Sequence, residues 1–174
     1  MSRAIYGVMT ALCVAGLLAA LPTTVSSSGA KTIKLTDECD PATFNAVLGP
    51  GACVGDGDVT FNQFVAEFLA TGQVEDWEFD PDHDHVNSGK AIRAENEGGE
   101  THTFTEVAAF GGGFVPILND LSGNPVPAPE CFTTTAFVPP DGQLDVGALS
   151  PGTHMFQCCI HPWMRTTIKV RNHD

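Results

Sequence analysis

The sequence predicts an all-β fold, a β-sandwich, preceded by a short helical extension. From residue 77 onwards, short runs of β-branched and aromatic residues are separated by clusters of Gly, Pro, Asn and Asp. Helical spacing of apolar residues with capping signals occurs only before that point. The 174 residues suffice for a leader and one domain. Many short strands separated by turns are typical of an antiparallel sandwich.

The first 30 residues have the pattern of a secretory signal. Arg3 is their one charge, residues 4–21 are apolar, and a stretch of small and polar residues ends at Ala30. This pattern predicts cleavage after Ala30 and an exported protein, periplasmic or extracellular, with no membrane span in the mature chain. The alternative is an uncleaved anchor, because 18 residues approach the lower limit for a membrane span. Gly, Ala and Thr dilute the run and favour cleavage.

The chain is strongly acidic, with a formal net charge of −13. Loss of Arg3 with the leader leaves seven Lys and Arg against 21 Asp and Glu, or −14. Such a surface repels nucleic acid, since binding to phosphates depends on Lys and Arg. It would attract a basic docking face on a partner protein. The alternative is that the charge serves solubility alone.

The predicted mature chain keeps an odd number of cysteines: Cys39, Cys53, Cys131, Cys158 and Cys159. In an exported protein this number indicates disulfides and one thiol with another role. The sequence does not determine the pairing. We expect Cys39–Cys53 and Cys131–Cys159, because this choice leaves Cys158 free and each bridge spans a plausible loop.

Residues 31–75 are predicted to form the helical extension. Asp40 is an N-cap before a proline, and Gly49 is a natural end for this first helix. A second helix is predicted from Thr60, where Gln63 completes a capping box, to Gly72. Its apolar residues recur at helical spacing and predict a face that packs on the core.

Six strands are predicted after this extension, at residues 77–79, 90–95, 102–107, 132–138, 154–159 and 166–171. Residues 108–130 are rich in Gly and Pro and are expected to form a long irregular connection held at its end by Cys131. Side chains alternate between the faces of a strand, so Cys158 and Cys159 are expected to point in opposite directions.

The segment G-T-H-M-F-Q-C-C-I-H-P-W-M-R, residues 152–165, contains the candidate metal ligands. Cys158, His161 and Met164 follow one another at intervals of three residues, and Pro162 stiffens the loop between them. Two imidazoles, one thiolate and a weak axial thioether form a blue-copper site. We expect His102, on a separate strand, to be the second imidazole. Each residue taken singly has an ordinary structural explanation, but the combination favours copper.

Two motifs carry a resemblance to a known family. The segment C-C-I-H-P-W-M resembles the copper loop of the cupredoxins, in the short C-x-x-H-P-x-M form of plastocyanin-like and amicyanin-like members. The segment A-I-R-A-E-N-E-G-G-E-T-H-T-F, residues 91–104, resembles the strand, loop and first copper histidine of that family. The similarity covers about residues 77–172, whereas residues 31–75 have no counterpart in the minimal family domain.

The resemblance implies a Greek-key β-sandwich over residues 76–174 and one mononuclear type 1 copper. It implies His102, Cys158, His161 and Met164 as the copper ligands. Cys159 is an alternative to Cys158, although its spacing to His161 fits the loop less well. Thr103 follows the first histidine where several members have Asn, which affects contacts that hold the loop.

The implied function is one-electron transfer by a Cu(II)/Cu(I) couple, with no enzyme activity. Electrons would leave through His161, with Pro162 and Trp163 as a docking patch for a redox partner protein. Copper enzymes of this kind need further pairs of histidines, and only His83-x-His85 occurs, which is better explained as an exposed polar turn. The alternatives are a copper-binding or copper-delivery module and a disulfide-bonded sandwich without metal.

Overall fold

The computed structural model describes residues 29–172, so the predicted leader lies outside the described residues apart from its last two positions. Ten strands and three α-helices make up this part of the chain. The strands are β1 Lys31–Thr36, β2 Glu78–Asp80, β3 His83–Asn87, β4 Ala91–Asn96, β5 His102–Thr103, β6 Thr105–Val107, β7 Phe137–Val138, β8 Gln143–Ala148, β9 Gly152–Gln157 and β10 Arg165–Arg171. The helices are α1 Pro41–Leu48, α2 Phe61–Thr71 and α3 Pro116–Leu121, and a 3₁₀ turn spans Pro129–Phe132.

The predicted β-sandwich is confirmed. One sheet has the strand order β2-β1-β4-β8, a second has the order β3-β10-β9-β6, and β5 pairs with β7 in a two-stranded ribbon. Ile33 and Ile92 from the first sheet lie in the same buried cluster as Phe156 and Ile168 from the second. The two sheets therefore enclose one core.

The sheets are mixed, whereas the sequence predicted antiparallel pairing. β1 pairs in parallel with β4, and β3 pairs in parallel with β10, while the remaining pairs are antiparallel. Parallel neighbours need a long crossover connection. The stretch between β1 and β4, which contains α1 and α2, supplies one of them.

Strand β1 differs from the prediction that residues 31–75 form a helical extension. Ile33 and Leu35 are fully buried, Lys34 between them is exposed, and β1 pairs with both β2 and β4. Residues 31–36 therefore belong to the sandwich. The alternation in K-T-I-K-L-T is the signal for this strand, but it is short and precedes stronger helix signals.

Helices α1 and α2 begin at the predicted capping residues. The Asp40 side chain accepts a hydrogen bond of 2.8 Å from the backbone N–H of Thr43. Thr60 and Gln63 form the reciprocal capping box at the start of α2. Phe64 and Phe68 of α2 are buried and pack against Trp163, which joins the helix to the loop that carries the candidate metal ligands.

Other elements also differ from the predictions. Strands β3 and β8 were not predicted, and the predicted strand at 132–138 is reduced to β7. The expected irregular connection, residues 108–130, contains α3.

Two hydrogen bonds tie this connection together. The buried Asn119 side chain, on α3, accepts a hydrogen bond from the Gly113 N–H at 2.7 Å and donates one to the Gly113 carbonyl at 3.0 Å. These two bonds hold the segment before α3 against the helix.

The structure contains both expected disulfides. Cys39 is bonded to Cys53, and Cys131 is bonded to Cys159, with Cα–Cα distances of 6.2 and 5.6 Å. Cys158 is the one free cysteine among residues 29–172, and it is buried. Within the same range, no helix is both long enough and apolar enough to cross a membrane.

Candidate metal centre

Three predicted ligands meet at one end of the sandwich. Cys158 follows the end of β9, His161 lies three residues later, and His102 comes from β5. Their ligand atoms all lie within 4.8 Å of one another, and this is the one such group of His, Cys, Asp and Glu in residues 29–172. Cys158 Sγ is 3.9 Å from His102 Nδ1 and 4.0 Å from His161 Nδ1. All three side chains are buried.

The loop between β9 and β10 is closed by its own backbone. The Cys158 N–H donates to the Met164 carbonyl at 3.0 Å, and the Met164 N–H donates to the His161 carbonyl at 3.0 Å. Met164 is also buried, with 1% of its surface exposed. The four predicted ligands thus lie in one tight loop and one strand beside it, and their role as ligands stays a prediction.

The Cys158 sulfur accepts two backbone hydrogen bonds. Thr103 N–H donates from 3.4 Å and His161 N–H from 3.5 Å. The Thr103 hydroxyl in turn accepts the N–H of Cys159 at 2.7 Å, which joins the β5 ribbon to the loop. Thr103 therefore holds the loop on both sides of the Cys158–Cys159 bond.

The two adjacent cysteines diverge as expected, although both lie beyond the end of β9. Cys158 belongs to the main core, whereas Cys159 belongs to a second apolar cluster that includes its disulfide partner Cys131. Cys158 is therefore the thiol that faces the two histidines.

His102 is held by a carboxylate that the sequence analysis did not identify. Asp37 Oδ2 lies 2.8 Å from His102 Nε2, and both side chains are fully buried. Backbone N–H groups of Cys39 and Glu100 donate to the same carboxylate at 3.2 and 2.9 Å. A carboxylate on the far nitrogen of a ligating histidine sets its tautomer and orientation. The only sequence signal for it is an acidic residue directly after the alternating run of β1.

His161 also faces a carboxylate. Glu100 Oε2 lies 3.5 Å from His161 Nε2 and accepts a hydrogen bond of 2.7 Å from the indole N–H of Trp77. Both imidazoles therefore have their Nδ1 towards the thiol and their Nε2 towards an acid. The contact from Glu100 to His161 is longer and weaker than that from Asp37 to His102.

The pKa shifts follow from this arrangement. Burial lowers the pKa of His102, but its bonds to Asp37 and Cys158 outweigh burial and raise it to about 9. Burial raises the pKa of the Cys158 thiol, yet the two imidazoles hold it well below its usual value. Burial also raises the pKa of Asp37, and the bond to His102 brings it below the ordinary range. The site therefore favours a thiolate beside an imidazolium when no metal is bound.

The donor set fits a metal ion. For bonds of about 2.3 Å to sulfur and about 2.0 Å to nitrogen, as in zinc sites, a trigonal angle places the two donor atoms about 3.7 Å apart. The observed distances of 3.9 and 4.0 Å from Cys158 Sγ to the two Nδ1 atoms lie close to this value. They are longer than the distances of 3.4 and 3.5 Å from the backbone amides of Thr103 and His161 to the same sulfur. A thiolate with two imidazoles suits copper or zinc better than magnesium or calcium.

Metal binding at this site should release a proton from His102. A metal ion needs an unprotonated Nδ1, while Nε2 keeps its hydrogen and donates it to the Asp37 carboxylate. Since the pKa of His102 is about 9, metal and proton compete below that pH. We expect the apparent affinity for Zn²⁺ to rise about tenfold per pH unit from pH 7 to 9 and then level off. Chelator competition across this range measures the slope, and an affinity that does not change with pH would contradict the protonated state.

The predicted docking patch is not exposed as expected. Pro162 is buried, and Trp163 is half-buried with its ring centroid 4.7 Å from that of Phe68. His161 retains 4% exposure. Helix α2 accounts for the partial burial of Trp163, because Phe64 and Phe68 pack against its ring. Access to His161 is therefore narrower than the sequence suggested.

The other histidines lie outside the site. His83, at the exposed start of β3, pairs with Asp82 at 3.2 Å, and neither His83 nor His85 belongs to a group of three or more candidate metal ligands among residues 29–172. His154 Nδ1 is 2.6 Å from Glu106 Oε1, a contact that helps raise its pKa although burial opposes it. His173 lies outside the described residues.

Comparisons with known proteins give solved structures but no sequence relatives. No family model and no curated protein matches the chain. The chain is similar to a purple cupredoxin from Nitrosopumilus maritimus, at 12% identity and a TM-score of 0.43, over 80% of this chain and 98% of the other. It is similar to plastocyanin from Dryopteris crassirhizoma, at 15% identity and a TM-score of 0.42, over 81% and 100%. For a mutant of amicyanin in its Cu(I) form, identity is 15% and the TM-score 0.37, over 54% and 73%.

Two histidines and one cysteine meet at the candidate metal centre, each buried and each held by neighbouring groups. The chain is a β-sandwich protein that is similar to solved cupredoxin structures and carries at one end a buried His–Cys–His cluster suited to a metal ion.

Proposed function

We propose that this chain is an exported copper protein that carries single electrons at one mononuclear, type 1 site. His102, Cys158 and His161 would hold the copper, with Met164 as a weak axial ligand. The observation that carries the proposal is the buried Cys158 sulfur with imidazole nitrogens at 3.9 and 4.0 Å, the donor set of blue-copper centres. A copper ion bound there supplies a Cu(II)/Cu(I) couple.

The chain's own residues keep the donors in place. Asp37 orients His102, two backbone amides hold the Cys158 sulfur, and the Cys131–Cys159 disulfide anchors the next residue. Donors that are fixed from several sides shift little when the charge at the site changes. Such rigidity favours electron transfer, because little structural reorganisation accompanies each step.

The surroundings of the sulfur influence the reduction potential. The N–H groups of Thr103 and His161 withdraw electron density from the thiolate, and burial excludes water from it. Both effects stabilise the less charged, reduced state and are expected to raise the potential.

Export and a protein partner complete the proposal. Two disulfides and the predicted leader support an oxidising compartment, periplasmic or extracellular. The net charge of −13 favours a redox partner with a basic docking face over nucleic acid. With a single metal-binding group in residues 29–172, an electron carrier is favoured over a multicopper enzyme.

The test is spectroscopy and electrochemistry of the mature chain loaded with copper. We expect an intense visible absorption from thiolate-to-copper charge transfer and a reversible one-electron couple by voltammetry. A colourless protein that holds only Cu(I) would instead be a copper-delivery module. Failure to bind copper tightly would leave a disulfide-bonded sandwich and overturn the proposal.

Met164→Leu tests the axial ligand. The variant should keep copper, because the three strong donors remain, but its potential should rise and its visible spectrum should change. Removal of a group that orients a metal ligand lowers metal affinity by about 10- to 100-fold. We expect Met164→Leu to lower copper affinity by less than this. Met155→Leu is a matched control, since Met155 packs on the second cluster near Cys159. Loss of copper in Met164→Leu alone would show that the axial assignment is wrong.

A further inference from the structure

A cavity of about 480 Å³ lies beside His161, between helices α1, α2 and α3. Twelve of its 14 lining residues are apolar, and the two exceptions are His161 and Glu100. Cavities of about 300 to 1,000 Å³ with mostly apolar walls and a few polar groups are typical of small-molecule sites. Residues of these helices form most of the cavity wall, and Glu100, Ile160 and His161 lie at the side of the candidate metal centre.

One side of the cavity is aromatic. Phe44 and Phe61 meet edge to face with ring centroids 5.3 Å apart, and Phe64 contacts both at 5.6 and 6.2 Å. Phe68 continues the row at 6.1 Å from Phe64. Rings at these distances and angles leave faces and edges to which a further ring can add.

The polar contribution comes from Glu100, whose side chain is 10% exposed. Both of its contacts, with Trp77 and His161, use Oε2. Oε1 accepts no hydrogen bond from residues 29–172. Oε1 is therefore the Glu100 oxygen that remains available to a donor group on a ligand in the cavity. A hydrogen bond to a carboxylate contributes more to binding than one between two neutral groups.

The cavity opens to solvent through an apolar rim. Leu48 of α1, Leu69 of α2, and Ile117 and Leu121 of α3 line it and are 40 to 63% exposed. An engineered apolar cavity of about 150 Å³ holds benzene, so this one has room for a substituted ring. A small molecule can therefore enter without unfolding of the helices.

We propose that this cavity binds a neutral, single-ring aromatic molecule with one hydroxyl or amine group. The ring packs on the phenylalanine row, and the donor group bonds to Glu100 Oε1 beside His161. An anionic aromatic molecule is excluded, because its negative charge would lie beside the Glu100 carboxylate in apolar surroundings that do not stabilise it. This binding goes beyond the proposed electron transfer and does not require a metal ion.

The first test is a ligand series on the unmodified protein. Phenol, toluene and benzoate are titrated by ligand-observed NMR into the mature chain, both metal-free and loaded with reduced copper. Phenol should bind saturably to both forms, and benzoate at least about tenfold more weakly. No saturable phenol binding, or benzoate binding as tight as phenol, would overturn the proposal. Copper binding is measured separately, so a failure here leaves the metal site unaffected.

Variants at the rim locate the binding. Ile117→Trp and Leu69→Trp place a large ring at the rim of the cavity, one on α3 and one on α2, at positions 60% and 63% exposed. Each should weaken phenol binding at least about tenfold by occupying the entrance. Val126→Trp is the matched control, because Val126 is 75% exposed and lies outside the cavity. Equal effects at Ile117 and Val126, or no effect at Ile117 and Leu69, would place the phenol elsewhere.

Glu100→Gln tests the donor contact. The Gln carbonyl can still accept the Trp77 N–H, and the amide NH₂ then replaces the free acceptor. Phenol should bind about tenfold more weakly, while toluene should change by less than about twofold. Equal losses for phenol and toluene would show that Glu100 only shapes the cavity, and would overturn the assigned ligand class.

Discussion

Cys158→Ser should abolish the visible thiolate-to-copper absorption and lower copper affinity at least about 100-fold. A serine hydroxyl stays protonated at neutral pH and is a harder donor, so it cannot replace the soft thiolate between His102 and His161. The side chain is nearly isosteric, and Cys158 takes part in no disulfide. Absorption spectroscopy with copper competition by a chelator of known affinity measures both effects.

The matched control is the double variant Cys131→Ser/Cys159→Ser. It removes the disulfide beside the site but leaves Cys158 in place. The absorption should remain, while the free energy of unfolding in urea should fall by about 2 to 5 kcal/mol. A thiol count should give one free cysteine in the mature unmodified chain and in the double variant, and none in Cys158→Ser. Retained colour in Cys158→Ser, with loss in the control, would make Cys159 the ligand.

Asp37→Asn should lower copper affinity by about 10- to 100-fold, although residue 37 itself binds no metal. The carboxylate orients the His102 ring and holds the proton on Nε2, so its loss releases both constraints. It also removes an interaction that raises the pKa of His102, and that pKa should therefore fall from about 9. Chelator competition measures the affinity, and NMR titration of the metal-free variant follows the imidazole.

Asp145→Asn is the control for this substitution. Asp145 is largely exposed on β8, a strand that carries none of the predicted ligands, and it pairs with Arg93 at 2.7 Å. Surface pairs of this kind contribute little, so neither copper affinity nor the pKa of His102 should change measurably. If copper affinity and the pKa of His102 were as little changed in Asp37→Asn as in this control, the Asp37 carboxylate would have no part in holding His102.

The covered loop also bears on how a redox partner could approach. The sequence suggested an exposed patch of Pro162 and Trp163, but α2 packs over this loop through Phe64 and Phe68. The ring of His161 is reached through the apolar cavity beside Glu100. Under the proposed function, we expect a redox partner to contact the rim of the three helices rather than residues 158–164.

Features that depend on short spacing were predictable from the sequence. Cys158, His161 and Met164 lie within seven residues, so one turn of chain brings them together whatever surrounds it. The caps at Asp40 and Thr60 are equally local, because a side chain bonds to a backbone group three residues ahead. The odd cysteine count indicated one free thiol before any pairing was known.

The pairing of distant segments was settled only by the tertiary structure. Asp37 and His102 are 65 residues apart, and they meet because β1 lies beside β4, with Asp37 directly after β1 and His102 on β5, the strand that follows β4. Glu100 reaches His161 through the same packing, and α1 and α2 leave a cavity above it. No spacing in the sequence encodes these contacts, since they depend on strand register and helix packing. The sequence alone thus determined which candidate donors lie together on the loop after β9, and the tertiary structure decided what holds and covers them.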